Sequence, residues 1–104
     1  MAQFDVYANP NPATKRTIPF LLDIQTDLLS NLTTRVVIPL YTVSAMGKAA
    51  KHLNLQFSVK RTTVIMSTAE LAGVAVSSLG DKVYSLKEHR NEIIAAIDFL
   101  VTGF

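Results

Sequence analysis

Cysteine is absent from this 104-residue chain, and glycine is scarce. Without cysteine, the protein can form neither a disulfide framework nor a thiolate metal site. The four glycines stand singly along the chain, so no glycine-rich loop that could cradle a phosphate group is present. These absences exclude small disulfide-stapled domains, thiolate zinc proteins and nucleotide-binding loops of that kind.

Long hydrophobic runs and a large excess of one charge are also missing. Asp23 and Asp98 interrupt the apolar runs well short of the roughly 20 residues that a membrane-spanning helix needs. The first residues show no basic segment followed by an apolar one, so we expect no signal peptide and a cytoplasmic protein without a membrane partner. The net charge is only +2. A loose basic cluster in the middle of the chain lacks the density and the stacking aromatics of a nucleic-acid face, which favours a solvated surface. Its members are Lys48, Lys51, His52, Lys60 and Arg61.

Short β-strands are the main elements that the sequence predicts. Alternating apolar residues and β-branched runs mark them, and proline-rich or Asx-rich segments separate them. Near-continuous apolarity at 35–41 predicts a strand covered on both faces. The predicted strands are QFDVYA (3–8), TIPFLLDIQ (17–25), RVVIPLY (35–41), a hairpin of LQFSV (55–59) with TTVIMST (62–68), and AVSSL (75–79). A loop or short helix is predicted for 42–54 and a turn or helical piece for 69–74.

One long amphipathic helix is predicted at the end of the chain. Apolar residues recur there at steps of three, four and seven, with Ser85 and Glu88 in the spacing of a capping box and Gly103 in the position that ends a helix. Ile94 and Val101 make the apolar stripe wider than a small sheet needs, which indicates a partner. The stripe consists of Leu86, Ile93, Ile97, Leu100 and Phe104.

The ionisable residues suggest no catalytic site, metal site or cofactor site. His52 and His89 do not stand in a metal-ligand spacing, and no G-x-S-x-G motif surrounds the serines at 77 and 78. Asp23 and Asp27 are better explained as turn-capping residues, because Asx side chains commonly bond to nearby backbone. The run HRNE (89–92) is interpreted as the solvated face of the helix.

Five sequence blocks, in this order and spacing, resemble the CcdB toxins of bacterial toxin–antitoxin systems. They are QFDVY, LLDIQTDLL, RVVIPL, VIMSTAELAGVAVSSLG and HRNEIIAAIDFLVTGF, and they cover essentially the whole chain. The resemblance implies a single domain over residues 1–104, mostly β, with an SH3-like small barrel or sheet and a long C-terminal helix. It also implies a cytoplasmic homodimer that is not an enzyme. Such toxins bind the A subunit of DNA gyrase, trap the cleaved gyrase–DNA complex and so cause double-strand breaks. A CcdA-like antitoxin neutralises them, and the pair represses its own operon, so operator DNA is contacted only through the antitoxin complex.

The resemblance also assigns residues to the two partners. The gyrase contacts correspond to Thr102, Gly103 and Phe104, with Thr102 standing where the family has a tryptophan. Asn91, Asp98, Leu28 and Leu29 match further positions of that surface, although the two leucines can equally be read as core. The antitoxin is expected on the loop around Lys48 and Lys51, because an acidic tail would be attracted there. We expect the dimer interface along Ile94, Ile97, Val101 and the strand at 35–40.

Two alternatives remain at this point. One is a MazF-like endoribonuclease, which shares the barrel fold and would need a basic groove and an acid–base pair. Arg35, His52 and Arg61 are the available candidates for it. The other is a non-toxic homologue that binds only the antitoxin.

Overall fold

A computed structural model describes residues 1–47 and 53–103 of the chain. In that part, seven strands and two α-helices follow one another, with 3₁₀ turns at 27–29, 68–70, 76–78 and 87–89. The strands are β1 (Asp5–Ala8), β2 (Phe20–Asp23), β3 (Thr34–Thr42), β4 (Gln56–Val59), β5 (Thr62–Met66), β6 (Ala72–Ala75) and β7 (Lys82–Ser85). The helices are α1 (Val43–Met46) and α2 (Arg90–Thr102).

The strands form one antiparallel half-barrel sheet. Its order is β4-β5-β3-β2-β1-β7, and β6 pairs with the first half of β3. The long strand β3 is central: β2 lies along one side, whereas β6 and then β5 lie along the other. The prediction of a mostly β domain with a C-terminal helix is confirmed. None of the helices in the described residues is long and apolar enough to cross a membrane.

The core lies between the sheet and α2. The alternating residues Val6, Leu22, Ile38 and Leu40 are fully buried, and Ile93 of α2 packs against them. The strand at 35–41 was predicted to be covered on both faces; Arg35, Val37, Ile38 and Leu40 are buried, but Val36, Pro39 and Tyr41 are only partly buried. The partly exposed residues leave the strand partly accessible, so its contribution to a dimer interface stays a prediction.

Helix α2 begins later than the capping box predicted. Ser85 is the last residue of β7, where it pairs with Asp5, and Leu86 then donates its backbone N–H to the carbonyl of Phe4 at 2.8 Å. The chain is therefore held in the sheet until Leu86, and a 3₁₀ turn leads into the helix. The other end matches the prediction: Gly103 adopts a left-handed φ of 79° and donates to the carbonyl of Phe99 at 2.9 Å.

Two strand predictions need correction. Residues 76–78, predicted as a strand, form a 3₁₀ turn, and the strand β6 comes just before it, where β3 offers a pairing partner. Strand β7 was not predicted. It is fixed by the close approach of Gly80 to β1, where the N–H of Gly80 donates to the carbonyl of Ala8 at 2.9 Å. A Cβ at position 80 would lie 2.7 Å from that carbonyl oxygen, so the approach requires glycine.

The β4–β5 hairpin is confirmed, and it turns through two cationic residues. Val59 pairs with Thr62, which leaves Lys60 and Arg61 as a two-residue loop with φ values of 48° and 69°. Positive φ at both positions is the conformation of a type I′ turn, which normally selects Asn-Gly. The hairpin therefore forms this turn with two residues for which positive φ is unfavourable.

Replacing Lys60 with asparagine and Arg61 with glycine is expected to raise the free energy of unfolding by about 1 kcal/mol, because left-handed backbone is costly for long side chains. Urea denaturation measures the change. The matched control replaces Lys15 and Arg16 in the same way, since this exposed pair does not have positive φ. An equal gain in both variants would assign the effect to charge and contradict the backbone explanation.

Candidate functional site

The exposed face of α2 carries three of the predicted gyrase contacts in one row. Asn91 and Asp98 are seven residues apart and Thr102 follows four residues later, so helical periodicity places them on the same side. All three are exposed. The Thr102 hydroxyl donates to the carbonyl of Asp98 at 2.7 Å, which ties the last turn together. Gly103 is exposed just beyond this row, whereas Phe104 lies outside the described residues.

Leu28 and Leu29 are surface residues, so the reading of them as core is wrong. They belong to the 3₁₀ turn Asp27–Leu29, and 92% of Leu28 and 48% of Leu29 are exposed. The turn is held in place by the segment before β1, because the N–H of Gln3 donates to Asp27 Oδ1 at 2.8 Å. A leucine side chain that is this exposed on an anchored turn is available to a partner. No hydrogen bond in the described residues joins this turn to the helix row.

The predicted antitoxin residues Lys48 and Lys51, and also His52, lie outside the described residues, so their roles stay predictions. The structure does show the segments on either side of them. Thr42 caps the start of α1, because its hydroxyl accepts from the N–H of Ala45 at 3.4 Å, and the carbonyl of Leu53 accepts from the Thr68 hydroxyl. A cleft of about 260 Å³ opens beside α1, and a hydrogen bond to Glu70 raises the pKa of Tyr41 in its wall. The cleft is lined by Tyr41, Ala45, Met46, Ser67 and Glu70.

A buried ion pair joins Asp23 on β2 to Arg35 on β3, and the sequence analysis missed it. Both side chains are fully buried, with Arg35 Nη2 2.6 Å and Nε 2.9 Å from Asp23 Oδ2. The other carboxylate oxygen of Asp23 accepts from the N–H of Gln25 at 3.0 Å, which is the turn-capping role that we predicted. Gln25 completes the cluster by accepting from the N–H of Val36 at 3.1 Å.

The electrostatics of this cluster are dominated by burial. Desolvation raises the pKa of Asp23 above its ordinary value, although the hydrogen bond and the charge of Arg35 act in the opposite direction. Burial also raises the pKa of Tyr7 to about 12, assisted by the nearby charge of Asp5. Among the described residues, Arg35 Nη1 is a buried polar atom without a partner. A cluster this enclosed holds β2 and β3 together and cannot touch a macromolecular substrate.

The two candidates for ribonuclease chemistry that the structure describes, Arg35 and Arg61, do not lie in one site. Arg35 is enclosed in the ion pair and Arg61 is exposed at the tip of the β4–β5 hairpin. One acid–base pair exists on the surface, where His89 Nδ1 lies 3.1 Å from Glu92 Oε1 and the imidazole packs on Phe57. This pair joins the 3₁₀ turn to the first turn of α2 and is exposed, as we expected for the run HRNE. The described residues contain no cluster of His, Asp and Glu that could hold a metal ion.

Solved structures of other proteins share the fold of this chain, among them the following two. One is an endoribonuclease in complex with its cognate antitoxin from a mycobacterial species, with a TM-score of 0.77 and 12% identity over 97% of this chain and 94% of that one. The other is the Mycobacterium tuberculosis toxin MazF-mt6, with a TM-score of 0.72 and 14% identity over 92% of this chain and 94% of that one. At these identities the likeness establishes the fold alone, a half-barrel shared by CcdB-like and MazF-like toxins.

The family described as CcdB protein matches residues 3–103, which is nearly the whole chain. The chain therefore belongs to the CcdB family. This membership confirms the resemblance drawn from the five sequence blocks, and it identifies a toxin of the toxin–antitoxin class.

Proposed function

We propose that this toxin poisons DNA gyrase by binding its A subunit and trapping the cleaved gyrase–DNA complex, with no catalytic step of its own. The observation that carries the proposal is the family match over residues 3–103. The five blocks that resemble CcdB toxins include both the turn with Leu28 and the end of α2.

The exposure of the assigned residues supports this proposal. Asn91, Asp98 and Thr102 form one accessible row, and Leu28 projects from an anchored turn. Residues needed only for folding would be expected in the core, yet these polar and apolar side chains face solvent. A binding surface of this kind requires no acid–base pair or metal, which agrees with a poison that acts by holding a complex together.

The proposed partners are a CcdA-like antitoxin and a second copy of the chain. The similar mycobacterial endoribonuclease is described with its cognate antitoxin. For this chain we propose that an acidic antitoxin segment binds near Lys48 and Lys51, beside the cleft at α1, and that salt weakens the binding. The toxin–antitoxin complex would then repress the operon, and the toxin itself would contact no operator DNA. The proposed location is the cytoplasm.

An endoribonuclease activity is the second candidate, because both similar structures belong to toxins and one is described as an endoribonuclease. The buried state of Arg35 argues against it, since that guanidinium is occupied by Asp23 and cannot reach a phosphate. Arg61 and the His89–Glu92 pair remain exposed, but they lie on different elements. The binding function therefore accounts for more of the surface.

The proposal predicts that the purified toxin makes gyrase leave linear DNA from a supercoiled plasmid after detergent and protease treatment. The reaction needs gyrase, because the toxin only stabilises a break that the enzyme makes. The control omits gyrase and keeps the toxin, and a parallel tube offers single-stranded RNA. Linear DNA that depends on gyrase supports the proposal. Intact plasmid together with cleaved RNA would support the endoribonuclease, and intact plasmid with intact RNA would favour a homologue that only binds antitoxin.

A further inference from the structure

Two adjacent cations stand at the tip of the β4–β5 hairpin. Lys60 and Arg61 are both exposed, and the ion pairs found in the described residues all involve other side chains. Residues 28–69 contain no Asp or Glu, although the chain has eight such residues. In the part of the chain that the structure describes, neither charge at the tip is therefore committed to an ion pair.

The backbone of this tip has a conformation that its own residues disfavour. Lys60 and Arg61 have φ values of 48° and 69°, in the left-handed region, where Asn-Gly would form the same turn without strain. Folding stability alone therefore does not explain two long cations at these positions. Backbone strain that a fold retains is often associated with function. Here it places two cationic side chains side by side at the free end of a two-stranded ribbon.

The surface next to the tip adds uncharged hydrogen-bonding groups. Ser58 and Thr63 are exposed and pair across the two strands, and Thr62 beside them is also exposed. Phe57 and Val64, which form the neighbouring pair, are buried in the core and fix the base of the ribbon. Lysine, arginine and hydroxyl side chains are groups that contact phosphate oxygens in protein–DNA complexes. The ribbon therefore presents a polar, cationic end that is suited to phosphate.

We propose that this hairpin tip contacts the phosphate backbone of the DNA that gyrase holds in the trapped complex. Peptide segments are usually recognised in a groove or along a strand edge, whereas a two-residue tip is convex. A two-stranded ribbon fits a groove of duplex DNA, whose walls are lined by phosphates. The inference rests on the proposed function, because gyrase poisoning is what brings DNA to this toxin.

Two cations are too few to hold free DNA. Each phosphate that is neutralised contributes about 0.9 to the salt dependence, so two contacts give a logarithmic slope of about −1.8 and an affinity that falls roughly tenfold between about 50 and 200 mM salt. Gyrase compensates for this weakness, because it holds the toxin beside the DNA at a high effective concentration. The tip should therefore strengthen the trapped complex without making the toxin a DNA-binding protein on its own. The low density of the basic cluster in the sequence agrees with such a small contribution.

The test compares wild type with the double variant Lys60→Asn, Arg61→Gly in the plasmid assay. The variant should need roughly tenfold more toxin for half-maximal gyrase-dependent linearisation at about 50 mM salt, and the difference should become small at about 200 mM. This variant is expected to be more stable than wild type, so unfolding cannot explain a loss of potency. The control Lys15→Asn, Arg16→Gly removes the same charge from another exposed pair and should match wild type at both salt concentrations. The exchange Lys60→Arg, Arg61→Lys keeps both charges and should also match wild type.

A second measurement separates DNA from protein as the partner of the tip. Binding of the hairpin variant to the isolated gyrase A subunit without DNA is expected to equal that of wild type. An equal loss of binding without DNA would assign the tip to gyrase itself and overturn the inference. Full potency of the hairpin variant in the plasmid assay would also overturn it, and weaker binding of that variant to poly-glutamate would then assign the tip to an acidic protein segment.

The outcomes separate this inference from the proposed function. If wild type linearises plasmid with gyrase and the hairpin variant does so equally well, the inference fails and gyrase poisoning stands. If wild type leaves the plasmid intact, gyrase poisoning fails, and the contact with gyrase-bound DNA fails with it. A salt-dependent loss of potency that is confined to the hairpin variant and requires DNA supports both.

Discussion

Replacing Arg35 with methionine is expected to lower the free energy of unfolding by about 3–5 kcal/mol, because it leaves the Asp23 carboxylate buried without its partner. Domains of this kind have only about 5–15 kcal/mol of stability in total, so the variant should be close to unfolding. Asp23 and Arg35 are both fully buried, and no nearby side chain can take over the 2.6 Å contact without rearrangement of the strands. Urea denaturation at neutral pH measures the loss.

The destabilisation should shrink as the pH falls. In the variant, the pKa of Asp23 loses the lowering influence of Arg35 and keeps the raising effect of burial. A folded-state pKa above the unfolded one means that the folded state binds the proton more tightly, so acidification favours folding. The difference in the free energy of unfolding between variant and wild type is therefore expected to be largest near neutral pH. It should become smaller as the pH falls toward the ordinary pKa range of a carboxyl group. The comparison with wild type at each pH removes the effect of other carboxylates.

Two further variants show whether the ion pair is responsible. Arg61→Met removes the same charge at the exposed hairpin tip and should change stability little. Adding Asp23→Leu to Arg35→Met should recover most of the loss, because an apolar pair avoids the buried charge. If the single Arg35 variant were as stable as wild type, or if the double variant were less stable than it, the ion pair would not have the role assigned to it here.

Removal of residues 103 and 104 is expected to abolish gyrase poisoning while leaving the melting temperature nearly unchanged. Gly103 is exposed beyond the last turn of α2; its removal loses one bond to the carbonyl of Phe99, while the bond from Thr102 to Asp98 still holds the last turn. An aromatic anchor at the centre of an interface contributes more than about 2 kcal/mol, which corresponds to a loss of roughly 30-fold in binding. A buried aromatic would instead cost about 3–5 kcal/mol of folding stability when removed.

Plasmid linearisation and thermal unfolding of the same protein distinguish these cases, and retained antitoxin binding is the internal control. A large fall in melting temperature would show that Phe104 is core.

Replacing Thr102 with tryptophan refines the same test. Thr102 is exposed, so a larger side chain meets no packing restraint, and an indole can stack on a cationic side chain for about 1–2 kcal/mol. Potency should rise if Thr102 is a weakened contact. Unchanged potency in this variant, combined with lost activity on truncation, would assign the contact to Phe104.

The strands were predictable where the local pattern agreed with the final packing. The runs at 3–8 and 35–41 show alternation or β-branched apolarity, and both became strands with buried residues. β7 was not predictable, because Lys82–Ser85 is a strand only through its pairing with β1, which is distant in sequence. Ser85 pairs with Asp5 in the same ladder and therefore does not cap the helix. The local spacing of residues cannot show whether a segment will start a helix or pair with a strand that is distant in sequence.

The candidate site also contains residues that the sequence could assign and residues that it could not. The row of Asn91, Asp98 and Thr102 follows from helical periodicity, and the resemblance to CcdB toxins assigned those residues before the structure placed them on one face. The buried pair was harder to see, although the sequence contains a signal: single opposite charges stand inside the apolar runs LLDI and RVVI. Only the pairing of β2 with β3 brings Asp23 and Arg35 together. Side chains that depend on strand register remain beyond the reach of spacing alone.

The pairing of β1 with β7 also has a consequence for synthesis of the toxin. Val6 of β1 pairs with Tyr84 of β7. β1 is synthesised early, but its outer edge can therefore be paired only after β7 has been made. Leu86 is bonded to Phe4 at the end of the same ladder, and α2 follows directly. Contacts this remote slow folding, because the entropy of closing the loop is lost before the contact forms. The nascent chain therefore gains its native sheet only after β7 has been made.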